Sequence, residues 1–74
     1  MTPDRLRTVL GLLRWSQRDL ADALGCDERL VRRWASGARA VPDVVAEWLE
    51  TLAAVHARYP KPVGWAARPE AAAG

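Results

Sequence analysis

Seventy-four residues carry eleven Lys plus Arg against nine Asp plus Glu, a formal charge of +2, with half the chain hydrophobic. A chain this short buries only about 60% of the surface its unfolded form exposes, so it builds one thin core and rarely a deep substrate cleft, which argues against an enzyme. The single cysteine, Cys26, closes no intrachain disulfide and with the lone His56 sets up no metal-ligand spacing, so a reducing, cytoplasmic setting without metal or cofactor is expected.

No Thr/Val/Ile-rich alternating run occurs, and Gly and Pro fall between segments of helical period, which predicts an all-α domain of four helices, with room for a fifth. The first helix has Thr2 as N-cap, Pro3 at its first position and Asp4 near the positive end of its dipole. Leu6, Val9, Leu10 and Leu13 recur at i, i+3, i+4 and i+7, one apolar stripe. The apolar stretch Val9–Leu13 is too short to span a membrane, and no cleavage site follows it.

Ser16 opens a second helix. Its hydroxyl is placed to accept from the N–H of Asp19 while Asp19 reaches back, a short version of the capping box, with Trp15 and Leu20 at the staple positions. Leu20, Ala21 and Leu24 face inward, and Gly25 ends the helix because it takes the left-handed conformation at little steric cost. Asp27 caps a third helix that turns Leu30, Val31 and Trp34 inward and stops at Gly37. Cys26 is expected to pack as a small hydrophobe after the turn.

Pro42 starts a fourth, longer helix with Val45, Trp48, Leu49 and Leu52 as its inner face, and Val44, Val55 and Tyr59 widen its apolar surface sideways. His56 lies near its C-terminal end as a favourable dipole partner. Pro60, Pro62 and Pro69 punctuate the rest, so residues 1–59 form the domain and residues 60–74 a loosely held tail, from which Trp65 packs back. Trp15, Trp34 and Trp48 all sit at helical core positions, which favours a core over a stacking platform for single strands.

The segment Ser16 to Gly37, SQRDLADALGCDERLVRRWASG, is two short helices joined at Gly25, the layout of a helix-turn-helix. With Leu30, Val31 and Trp34 inward, the third helix must present Glu28, Arg29, Arg32 and Arg33 outward. Four arginines and no acid lie between Arg29 and Arg39, whereas three acids and no Lys or Arg lie between Asp43 and Glu50. The charge is segregated by helix. Asp19 and Asp22 are the only paired acids a catalytic reading could use, and neither has a nucleophile, His or Lys beside it.

The ordered set Ser16-Gln17, Leu20-Ala21, Leu24-Gly25, Val31 and Trp34-x-x-Gly37 resembles the phage repressor and Cro family, also called XRE-type, over roughly Leu6 to Leu52. The resemblance implies a second helix across the DNA backbone and a third, recognition helix in the major groove. It assigns base contacts to Arg29, Arg32 and Arg33, whose planar forks match guanine O6 and N7, and places Asp27 and Glu28 where the family more often has neutral or basic residues. Glu28 either accepts from cytosine N4 or orients Arg32 four residues on, and Asp27 is more simply a cap. Gln17, with Ser16 beside it, matches the phosphate-bonding position, and Arg14, Arg18 and Arg39 are flanking phosphate candidates.

The function expected is that of a sequence-specific regulator of transcription on double-stranded DNA, a repressor on an inverted repeat, acting as a homodimer through Val44, Val55 and Tyr59. The rival is an antitoxin or adaptor whose fourth helix and tail bind a protein partner. No small-molecule ligand and no membrane partner is expected.

Overall fold

The computed structural model describes residues 1–62 and 64. Four helices, α1 (Pro3–Leu13), α2 (Gln17–Leu24), α3 (Glu28–Ser36) and α4 (Asp43–Arg58), account for the ordered elements, and no strand is present among the described residues. The caps fall where the side chains dictate. Thr2 Oγ1 accepts from the N–H of Arg5 at 3.0 Å, Ser16 and Asp19 form the reciprocal capping box, and Asp27 Oδ1 accepts from the N–H of Arg29 at 2.8 Å. Only α4 lacks a side-chain cap: Pro42 is its N-cap residue rather than its first helical residue.

Helix α2 closes in a Schellman arrangement. Gly25, at φ +69°, donates to the Asp22 carbonyl at 3.2 Å while Cys26 donates to Ala21 at 3.0 Å. Helix α1 closes by the same pair of bonds, Arg14 to Gly11 at 3.2 Å and Trp15 to Leu10 at 2.9 Å, yet the left-handed position is held by Arg14 at φ +62°. A side chain there normally costs about 1–2 kcal/mol. Nothing in the sequence marks that stop, because no glycine occupies it.

The core is built from Leu6, Val9 and Leu10 of α1, Leu20 and Ala21 of α2, Val31, Trp34 and Ala35 of α3, and Leu49 and Ala53 of α4, with Val41 from the loop. Helix α1 packs on both α3 and α4, and α2 packs on α3. Two polar ties reinforce this. Arg5 bridges to Glu50 on α4, and Arg7, paired with Asp4, also donates to the Ala35 carbonyl at 2.5 Å, a cation placed at the C-terminal end of α3. Neither tie was expected, since long-range partners leave no periodic trace.

The expected inner face of α4 needs correction. Leu49 is fully buried, Val45 and Leu52 are half-buried, and Trp48 is 37% exposed, packed against Trp15 with ring centroids 5.9 Å apart. The fully buried row continues instead to Ala53, one helical turn beyond Leu49, with Ala46 half-buried beside it. The side of α4 turned to the core thus carries the small Ala46 and Ala53 beside Leu49, and the large indole of Trp48 lies at the rim. Of the three tryptophans expected in the core, only Trp34 is fully enclosed, Trp15 being half-buried. Trp65 and the expected return of the tail lie outside the described residues.

Candidate nucleic-acid interface

Helix α3 is anchored by Val31, Trp34 and Ala35, all buried, which fixes its opposite side outward. At 3.6 residues per turn, Arg29, Arg33 and Ser36 form the outermost row, with Arg32 displaced toward the side that carries Glu28. The expected outward arginines are thus all at the surface, and their partners divide them into two kinds.

Arg29 and Arg32 are each held by an acid of their own helix start. The Asp27 carboxylate caps the helix and also faces the Arg29 guanidinium, Nη2 to Oδ2 at 3.3 Å. Those bonds from the Arg29 N–H and side chain hold the Asp27 carboxyl below its usual pKa. Arg32 Nη2 pairs with Glu28 Oε2 one turn back. Of the two roles open to Glu28, the structure shows the pairing with Arg32, and Asp27 combines its capping role with a second that the sequence did not reveal.

Arg33 and Arg39 have no acidic partner within salt-bridge distance among the described residues. They are brought together by the backbone: after Gly37 turns the chain, the N–H of Arg39 donates to the Arg33 carbonyl at 3.2 Å. With Asp27, Arg29 and the half-buried Leu30 they line a shallow groove of about 330 Å³. Leu30, expected inward, is half-buried against the core and also lines this groove.

The second cluster lies at the start of α2. The Ser16 hydroxyl accepts from the Asp19 N–H at 3.0 Å and the Ser16 N–H donates to Asp19 Oδ2 at 2.8 Å. Donation from the Ser16 N–H, and then the Ser16 side chain, keep the Asp19 carboxyl below its usual range. Gln17 and Arg18 contribute the first N–H groups of the helix, which precede its first intrahelical bond and point out of its positive end. Gln17 is half-buried and Arg18 exposed. Arg14, held by its left-handed backbone immediately before this turn, lines a different groove of about 440 Å³ with His56, Ala57, Pro60 and Lys61. The structure thus sets Arg14 beside the C-terminal end of α4 rather than in the groove of Arg33 and Arg39.

The expected self-association residues are all outside the core: Val44 is 74% exposed, Val55 50% and Tyr59 70%. Cys26 is half-buried against the core, as a small hydrophobe would be.

Comparison with known proteins adds no relative. No family model matches the chain, and neither a curated protein nor a solved structure matches it.

Proposed function

We propose that this domain binds double-stranded DNA sequence-specifically, entering the major groove with α3, and represses transcription by occupying its site. The observation that carries the reading is the pairing pattern on α3: its outermost row bears Arg29 and Arg33, and Arg33 and Arg39, which line one groove with Asp27 and Arg29, form no ion pair among the described residues. An arginine kept free of carboxylate partners is ready to donate its fork to guanine O6 and N7 or to a phosphate. Arg33 is therefore the first candidate base reader. Arg29 reaches a base only by leaving Asp27, and Arg32 only by leaving Glu28, so these acids set a threshold that a correct base must exceed. Gln17, Arg18 and the Ser16 hydroxyl at the start of α2 would contact the phosphate backbone, with Arg14 and Arg39 at its flanks.

A module of this size buries only about 600–1,000 Å² on DNA, which favours two copies on an inverted repeat with half-sites about 34 Å apart. The test is binding of Arg33→Ala, and of Arg29→Ala with Arg33→Ala, to the preferred duplex. Specific affinity is lost while helicity by circular dichroism is retained; specific binding that survives the double substitution overturns the reading.

A second reading has its own observation, the exposed apolar side chains of α4. It makes the chain an antitoxin or adaptor holding a protein partner there, with DNA binding serving autoregulation. Deleting residues 60–74 would then spare DNA affinity and lose the partner.

A further inference from the structure

The exposed apolar residues of α4 are not scattered. At about 100° per residue, the exposed Val44, Trp48 and Val55, the half-buried Leu52 and the exposed C-cap residue Tyr59 fall within an arc of about 80°, a single stripe about 22 Å long beside the buried row of Leu49 and Ala53. Their spacing from Trp48 onward, four, three and four residues, is the seam spacing of helices that pair along their length.

The flanks of that stripe choose the occupant. Glu47 and Arg58 lie on the same flank, near its two ends, both exposed. Neither has an ion-pair partner among the described residues. Arg58 rests its guanidinium about 6.0 Å from the Tyr59 ring. The opposite flank carries Val45 and His56 and no acid. A two-fold axis perpendicular to two antiparallel helices brings each flank against its own copy, whereas parallel pairing sets the two different flanks together.

Centring that axis on the middle of the stripe, between Thr51 and Leu52, sets Val44 against Tyr59 and Trp48 against Val55. The same register brings Glu47 within one turn of Arg58 across the seam, twice. Parallel pairing leaves all four charges unmatched.

We propose that α4 is a self-association helix on which a second copy of this chain packs antiparallel along the Val44–Tyr59 stripe, each Glu47 facing the other copy's Arg58. A contact one helix wide buries less than the roughly 1,600 Å² of a standard interface, so the dimer is a weak, micromolar one. The proposal rests on the two-copy reading above and deepens it by naming the surface, orientation and charge pairs through which the copies meet; because it is tested without DNA, its failure and the failure of the DNA reading are distinguishable.

Sedimentation equilibrium of the full chain across the micromolar range reads it. The unaltered chain dimerises. Glu47→Arg and Arg58→Glu, each replacing two attractions by two repulsions at exposed positions, weaken the dimer about tenfold or more. The double variant carrying both restores it, and mixing the two single variants yields a heterodimer in which both contacts are attractive again. Val55→Asp abolishes association while the circular dichroism spectrum stays helical. A chain that remains monomeric at every concentration overturns the proposal, as it would if another segment or protein were the true occupant. A dimer indifferent to both charge reversals overturns it equally, since its helices then pair in another orientation or through another face.

Discussion

The guanidinium of Arg5 holds the carboxylate of Glu50 by two parallel hydrogen bonds, Nε to Oε2 at 2.9 Å and Nη2 to Oε1 at 2.6 Å, across 45 residues of chain. This fork ties the first turn of α1 to the middle of α4. The same bonds hold the Glu50 carboxyl below its usual pKa and raise that of Arg5.

A pH dependence follows. A carboxylate whose pKa is lower folded than unfolded contributes stability that is present above its unfolded pKa, about 4.3 for Glu, and is lost as pH falls through the folded value. Glu50, Asp19 and Asp27 all shift in this direction. Thermal midpoints therefore fall as pH drops from about 5 toward 3. Arg5→Gln lowers the midpoint at neutral pH and flattens the acid limb, because Glu50 then titrates alike in both states. An acid limb unchanged in that variant would show that the pair contributes nothing in solution.

The cap of α2 is the next most exposed dependency. Ser16→Ala removes the acceptor of the Asp19 N–H and costs about 1 kcal/mol. In a domain of this size that lowers the melting midpoint by roughly 4–8 °C. Ser16→Asn, which keeps an acceptor at the cap, retains most of the midpoint. Equal midpoints for the alanine and asparagine variants would deny the capping box its role.

Arg14 holds its backbone in the left-handed region, strain that a glycine would relieve. Arg14→Gly raises stability by about 0.5–1 kcal/mol, seen as a higher denaturant midpoint. If its guanidinium meets a phosphate, the same variant weakens DNA binding on all sequences alike and reduces the salt slope by about 0.9. A variant both more stable and equally tight on DNA would leave Arg14 out of the interface.

The parts of this fold that depend on neighbouring residues were legible in the chain. Thr2, Ser16 with Asp19, and Asp27 cap because their short polar side chains reach an N–H two or three residues on, and Gly25 and Gly37 end helices where left-handed backbone is needed. Glu28 and Arg32 pair because four residues is one helical turn. What escaped reading was set by distance. Arg5 and Glu50 meet only after α1 and α4 pack, as do Arg7 and the Ala35 carbonyl. Helix α4 carries two apolar faces, and its periodicity does not say which is buried. Packing buries the face of Leu49 and Ala53, and that leaves Trp48 at the rim and Val44, Val55 and Tyr59 exposed. The arginines of α3 were legible as a surface, but their division into paired Arg29 and Arg32 and unpaired Arg33 required side-chain positions.

The measurement that bears most directly on the central claim is selection of binding sites from a random duplex DNA library by the full chain, followed by a salt titration on the winning site. The expected result is a consensus of two inverted half-sites about one helical turn apart, with affinity that falls steeply as salt rises. A selected pool with no consensus, or binding indifferent to salt, would contradict the assignment of α3 as a base-reading helix.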